Sequence, residues 1–186
     1  MKPLQSVAMG LVIIAMSARF GGYDALADPV GWVLVALGVR RLTPELPARG
    51  TLLGLATLAG LVSAVVWFPQ VTSALYDADP SLAWAADLPQ LVFSALLCHV
   101  LSERAREAGD PRAARWLATT RTLLVVVGLL PVLVFGAGMS GLELASYLAA
   151  GTVALLLIWL LFAYGSRPWA RNPSVAASAA APTDVA

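Results

Sequence analysis

Six long apolar stretches constrain what this chain can fold into more than any other feature. The hydrocarbon core of a bilayer is about 30 Å thick, so a helix rising about 1.5 Å per residue needs about 20 apolar residues to cross it. The stretches that approach or meet this length cover residues 4–20, 23–42, 51–68, 80–101, 111–135 and 141–164. They predict an all-α fold, a polytopic transmembrane helical bundle of six spans.

The composition excludes the other main classes of protein. Hydrophobic residues make up 59% of the 186 residues and charged residues 12%, whereas soluble domains carry about 25% charged residues. The net charge of +1 gives no electrostatic basis for binding nucleic acid. The single cysteine, Cys98, excludes an intrachain disulfide and a multi-cysteine zinc site. We expect no cofactor, no metal and no nucleic acid, and we expect the lipid bilayer as the main partner.

The basic residues fall almost entirely on one side of the predicted spans. With the amino terminus in the cytoplasm, ten of the twelve lie on the cytoplasmic side, Arg19 lies outside and Arg121 lies within the fifth span. Cytoplasmic loops carry an excess of Lys and Arg, so both termini are predicted to be cytoplasmic, in a bacterial cell membrane. The predicted transmembrane domain covers residues 1–165. The Ala-rich residues 166–186 are predicted to form a disordered cytoplasmic tail.

Capping residues mark several helix ends. Asp79 and Asp110 each precede a proline, which is typical of an N-cap followed by proline at the first helical position. Ser140 and Glu143 have the spacing of a capping box that begins the sixth span. Pro69 is predicted to end the third span.

Three charged residues lie close together at the predicted outer ends of the first two spans. Arg19 ends the first span, Asp24 and Asp28 begin the second, and a Gly-Gly pair separates the two groups. One interpretation is a solute or ion site open to the outside. The other is structural, in which an N-cap and a salt bridge fix the hairpin.

Asp87 lies inside the fourth apolar stretch, two residues before Pro89. A charge at membrane depth is costly and needs an explanation. If the helix starts at Pro80, Asp87 lies about 10 Å along it, and Pro89 leaves the carbonyl of Ala85 without its helical donor. This pair of groups could bind a proton or a cation. Alternatively, the helix starts near Leu88 and Asp87 is its N-cap.

Two further polar residues and one serine have simpler interpretations. Arg121 is expected to extend toward cytoplasmic headgroups, with an inner cavity as the alternative. His99 is expected to be a lone interfacial histidine, because it is the only histidine in the chain. Residues 138–141 match the Gly-x-Ser-Gly of rhomboid proteases, but no histidine follows Ser140 and His99 is predicted to lie at the opposite membrane face. A nucleophile and its base must be about 3 Å apart, so we expect no enzyme.

Small residues recur at helical spacing on two of the predicted spans. Gly31 and Gly38 share one face of the second span, and Ala56, Gly60 and Ala64 form a stripe on the third. In lipid, such stripes allow close approach of helix backbones. We expect them to join helices within the chain.

The segment 24–34, Asp-Ala-Leu-Ala-Asp-Pro-Val-Gly-Trp-Val-Leu, resembles a pattern in small uncharacterised bacterial integral membrane proteins. Those proteins carry Asp-x-Leu-Pro-Asp, an apolar pair, then glycine and an aromatic residue. Here the proline follows the second acid instead of preceding it. The resemblance implies a membrane protein and brings no activity with it. Residues 27–42 also resemble residues 86–101 at an offset of 59, with either shared hydropathy or an internal repeat as the cause.

The charged residues lead to two functional hypotheses. The first is a small solute or ion transport module whose binding residues are Arg19, Asp24, Asp28 and Asp87. The second is a non-catalytic scaffold or accessory subunit that contacts another membrane protein. They differ in whether the three acids converge on one cavity.

Overall fold

The computed structural model describes residues 2–16, 19–20, 23–24, 28–42, 46–132, 141 and 143–170. Within these residues the chain is helical apart from one short ribbon and the connecting turns. The helices are α1 (Pro3–Ala15), α2 (Asp28–Arg40), α3 (Arg49–Val66), α4 (Pro69–Ala78), α5 (Pro80–Glu107), α6 (Pro111–Pro131) and α7 (Glu143–Tyr164). The two-residue strands β1 (Arg19–Phe20) and β2 (Tyr23–Asp24) pair antiparallel between α1 and α2.

Four of the helices are long and apolar enough to cross a membrane. They are α3, α6, residues 84–107 of α5 and residues 144–164 of α7. Only 17–39% of each apolar window is buried inside the bundle, so most of this apolar surface faces outward. Outward apolar surface on long helices is what a lipid environment requires. The all-helical fold class is therefore confirmed, and the chain is a membrane protein.

The first two predicted spans form shorter helices than expected. α1 and α2 have 13 residues each, which corresponds to about 20 Å and is less than the hydrocarbon thickness. α1 was predicted to run to residue 20, but it ends at Ala15 because Met16 has an extended backbone and Arg19 already belongs to β1. Six complete spans therefore remain a prediction.

The helices are arranged in a closed ring. α1 contacts α2, α2 contacts α3, α3 contacts α5, α5 contacts α6, α6 contacts α7, and α7 returns to α1. α4 lies against α5 and α3. Inside the ring, Trp32 of α2 meets Phe93 of α5 edge to face, with ring centroids 5.5 Å apart. An apolar core therefore connects helices that are distant in the sequence.

Glycines allow α1 and α2 to approach each other closely. A Cβ on Gly31 would lie 2.7 Å from the carbonyl oxygen of Gly10, and a Cβ on Gly38 would lie 2.6 Å from Cγ2 of Val7. Ser6 of α1 also donates a hydrogen bond to the carbonyl of Leu34, at 3.1 Å. The prediction that the Gly31 and Gly38 stripe joins helices within the chain is confirmed.

Two of the predicted caps are present at the starts of α5 and α6. The backbone N–H of Ser81 donates to Asp79 Oδ1 at 2.8 Å, and that of Ala113 donates to Asp110 Oδ1 at 3.1 Å. These side chains satisfy donors that the first helical turn leaves unpaired. Ser140 of the predicted capping box lies outside the described residues.

The predicted end of the third span agrees with the structure to within two residues. α3 ends at Val66, Phe68 before Pro69 has an extended backbone, and Pro69 begins α4, a second role that the sequence prediction did not include. The predicted start of the tail is wrong. The ordered chain continues past residue 165. A 3₁₀ turn at Pro168–Ala170 packs on the bundle, where Ala170 is buried and Trp169 donates to Asp110 Oδ2 at 3.4 Å. Residues 171–186 of the predicted tail lie outside the described residues.

Candidate functional site

A cavity of about 650 Å³ lies between α1, α5, α6 and α7, and it is open to the outside where Tyr147 and Leu155 are 61% and 65% exposed. Its walls are mainly aliphatic, with two aromatic rings and a few polar groups, and its volume is in the range of small-molecule sites. α1 and α6 supply only apolar or glycine positions, whereas α5 and α7 supply the polar ones. The residues that line it are Leu11, Ala15, Trp84, Asp87, Gln90, Leu91, Ser94, Leu124, Val127, Gly128, Pro131, Ser146, Tyr147, Ala150, Gly151, Val153, Ala154, Leu155, Leu157 and Ile158.

One face of α5 carries most of the polar groups of the cavity. Trp84, Asp87, Leu91 and Ser94 follow one another at intervals of three or four residues, with Gln90 beside them. Residues at this spacing lie on one side of an α-helix. The Asp79 cap marks the start of this helix.

α5 is continuous from Pro80 to Glu107, with Pro89 inside it. The alternative in which a helix begins near Leu88 with Asp87 as its cap is therefore excluded. Asp87 lies one turn inside the candidate membrane span that begins at Trp84, and it lines the cavity wall.

The polar side chains of this face have unused hydrogen-bonding capacity. Asp87, Gln90 and Ser94 make no side-chain hydrogen bond or ion pair with any residue that the structure describes. Polar groups inside a protein are usually satisfied by protein, water or a ligand. Since these three face an open cavity, water or a bound solute is available to satisfy them.

Trp84 is held against the wall by a hydrogen bond between helices. Its indole Nε1 donates to the carbonyl of Gly128 on α6 at 3.0 Å. Gly128 is one turn before Pro131, and a Cβ at Gly128 would lie 3.2 Å from Cδ1 of Leu91. The small residue thus lets α5 and α6 approach closely enough for the indole to bridge them.

Small residues on α7 leave the space that forms the cavity. Ala150, Gly151 and Ala154 line it at helical spacing, and a Cβ at Gly151 would have no atom within 4 Å. Larger side chains at these positions would occupy the volume. The small residues therefore determine the width of the cavity.

The cavity is closed at one end by packed leucines. Farther along the same helices, Leu97, Leu101, Leu117, Leu160 and Leu161 are almost fully buried. They fill the ring next to the end where α5 finishes and α6 begins. In the part of the chain that the structure describes, the cavity therefore occupies the half of the ring where α5 begins, and these leucines separate it from the other half.

The structure gives different outcomes for the four residues predicted as a binding site. Asp87 lines the cavity, whereas Asp28, at the start of α2, does not. Arg19 and Asp24 are directly opposite each other in the β1–β2 ribbon, but their side chains lie outside what the structure describes. In the described part of the chain, Asp28 and Asp87 therefore do not line the same cavity.

Arg121 and His99 contact each other outside the cavity. Arg121 Nη1 on α6 donates to His99 Nδ1 on α5 at 3.0 Å, and guanidinium is always protonated. His99 therefore accepts through Nδ1 and carries its proton on Nε2 in this pair. The sequence prediction of a lone His99 missed this partner, because the contact joins positions 22 residues apart.

Sequence reasoning also missed most of the cavity wall. Trp84, Gln90, Ser94 and Tyr147 line the cavity but were not predicted. The signal that could have found the first three is their helical spacing from Asp87. Tyr147 lies on a different helix, and its place beside the cavity depends on the packing of α7 in the ring.

Asp79, an acidic residue outside the cavity, has a structural role as a helix cap. The backbone N–H and then the hydroxyl of Ser81 both donate to Asp79 and hold the pKa of that carboxyl below its usual range. This cap therefore stabilises the fold above the ordinary carboxyl pKa and loses its effect as the pH falls through the lowered value. Among the described residues, no group of three or more His, Cys, Asp or Glu side chains is placed to hold a metal ion.

Comparison with known proteins gives no relative from which a function could be transferred. No family model matches the chain, and no curated protein or solved structure is significantly similar to it.

Proposed function

We propose that this protein is a multi-pass transport module of a bacterial cytoplasmic membrane, and that it moves a small solute through the cavity between α1, α5, α6 and α7. One observation carries the proposal. Asp87, one turn inside a candidate membrane span, lines a cavity of about 650 Å³ and makes no hydrogen bond or ion pair with a described residue. Intramembrane acids of this kind mark substrate or ion pathways in transport proteins.

The closed end of the cavity favours a carrier over a permanently open pore. The buried leucines beyond the cavity separate it from the end of the bundle that carries Arg104 and Arg106. A solute in the cavity can leave on the other side only after a conformational change moves these helices. Pro89 and Pro131 interrupt the backbone hydrogen bonds of α5 and α6 near the cavity, which makes these helices candidates for that movement.

The distribution of basic residues supports an orientation for the cavity. With the Arg-rich end of the bundle in the cytoplasm, the cavity occupies the outer half of the membrane. We propose both termini on the cytoplasmic side. The proposal includes no chemical reaction, and the solute leaves unchanged.

The alternative function is that of a non-catalytic scaffold or accessory subunit. The Arg121–His99 pair favours it, because this polar pair lies on an exposed part of the α5–α6 hairpin and not in the cavity. Polar side chains on a membrane helix can hydrogen-bond across a contact with a helix of another membrane protein.

A flux assay with a cavity-filling variant tests the transport function. Purified protein is reconstituted in liposomes, and uptake of tetraethylammonium, mannitol and benzenesulfonate is compared with uptake by protein-free liposomes. We expect uptake of at least one of these solutes above that background. Gly151→Leu should lower it at least tenfold, because the added side chain occupies the cavity.

Gly54→Leu on α3 is the matched control, since Gly54 also has no atom within 4 Å of its Cβ position but does not line the cavity. It should transport like the wild type. If liposomes with well-folded protein take up none of the three solutes faster than protein-free liposomes, the result would contradict the transport function and favour the scaffold.

A further inference from the structure

The charge of the cavity wall defines the class of molecule that the cavity accepts. Asp87 is acidic, and none of the described lining residues is Arg, Lys or His. Two ion pairs among the described residues, Arg106–Glu103 and Arg167–Asp110, lie elsewhere. In a medium of low dielectric constant, an isolated carboxylate is strongly stabilised by a positive partner. A bound cation is the partner that the described wall does not supply.

The remaining wall distinguishes an organic cation from a metal ion. Calcium takes about six to eight oxygen ligands and magnesium about six, whereas the cavity offers one carboxylate, one amide and a few hydroxyl groups distributed over α5 and α7. Most of the wall is aliphatic and cannot replace the water ligands of a small ion. The aliphatic wall suits instead a ligand with an apolar body.

Two aromatic side chains add to this preference. Trp84 and Tyr147 line the cavity on opposite helices of the wall, α5 and α7. The face of an aromatic ring attracts organic cations, and indole is the strongest of the common rings. The hydrogen bond from Trp84 to Gly128 keeps its indole in place before a ligand arrives, which lowers the entropic cost of binding.

We infer that the cavity is a binding site for a lipophilic organic cation, with Asp87 as the counter-ion and Trp84 and Tyr147 against its apolar body. The inference rests on the proposed function in its choice of site, and it adds the substrate class. The volume of about 650 Å³ admits one such cation of the size of a drug molecule.

Two ions of nearly equal size and opposite charge provide the test. Binding of tetraphenylphosphonium and of tetraphenylborate to the purified chain in detergent is measured by isothermal titration calorimetry at neutral pH. Saturable binding of tetraphenylphosphonium near one per chain is expected, with at least tenfold weaker binding of tetraphenylborate. Tetramethylammonium, which has the charge without the apolar body, should also bind at least tenfold more weakly.

Asp87→Asn identifies the counter-ion, because it keeps the shape of the side chain and removes its charge. It should weaken tetraphenylphosphonium binding at least tenfold. Asp79→Asn is the matched control. It removes the same charge outside the cavity at a helix cap, where Asn and Asp are comparable, and should bind like the wild type.

The outcomes separate this inference from the proposed function. Equal affinity for the two tetraphenyl ions, or unchanged binding in Asp87→Asn, would overturn the cation site even if liposomes take up mannitol or benzenesulfonate. Asp87-dependent cation binding without any flux would support the site and contradict transport. Absence of saturable tetraphenylphosphonium binding to folded protein would overturn the inference.

Discussion

Solute uptake by reconstituted protein is expected to fall at least tenfold in Asp87→Asn, while expression and thermal stability remain close to those of the wild type. Asp87 lies within α5 and makes no hydrogen bond or ion pair with another described residue, so the amide removes no polar interaction on which the described fold depends. It does remove the only charge on the described cavity wall. The measurement is the initial rate of uptake of whichever panel solute the wild type carries.

Asp79→Asn controls for the loss of one negative charge from the outer half of the protein. Its uptake should match the wild type within about twofold, because Asn still accepts the N-cap hydrogen bond from Ser81. Wild-type uptake in Asp87→Asn would remove Asp87 from the transport mechanism. An equal loss in both variants would show a general electrostatic effect in place of a site.

Gly31→Ala is expected to destabilise the fold by about 1–3 kcal/mol, the usual cost of overpacking a tight contact. The new methyl group would lie 2.7 Å from both the carbonyl oxygen of Gly10 and Cγ1 of Ile14. The backbone oxygen cannot move aside without shifting α1, so the two helices must separate. Unfolding in detergent by SDS titration or heating measures this loss.

Gly54→Ala is the matched substitution for this experiment. Its Cβ would meet no atom within 4 Å, so the added methyl group should leave stability unchanged or raise it by up to about 1 kcal/mol through lower backbone entropy in the unfolded chain. Similar unfolding of both variants would contradict the close contact between α1 and α2.

Local features of the fold were predictable because their causes are local. Asp79 and Asp110 mark the starts of α5 and α6, because a carboxylate that accepts from the first turn and a proline at the first helical position are both typical of a helix N-terminus. Asp87 was identifiable because a carboxyl group in an apolar stretch is energetically costly and is usually retained for a function. Pro69 indicated the end of α3 but not the start of α4, because proline is compatible both with the end of one helix and with the first turn of the next.

The cavity could not be predicted, because it depends on which helices are neighbours. α1 contacts α7, its most distant helix in the sequence, and no local pattern encodes that pairing. Ala150, Gly151 and Ala154 are equally compatible with a lipid-facing surface, a tight helix contact or an open wall. The third of these follows only from the volume that the surrounding helices leave unfilled.

The central claim is that the cavity at Asp87 is the place where a solute binds, and locating a bound cation tests it most directly. Tetraphenylarsonium has nearly the shape of tetraphenylphosphonium and contains an arsenic atom that scatters anomalously. Crystals of the protein grown with it should show one arsenic peak inside the ring, between Trp84, Asp87 and Tyr147, and Asp87→Asn crystals should lack that peak. An ordered arsenic peak elsewhere with an empty cavity, or an unchanged peak in Asp87→Asn, would contradict the account.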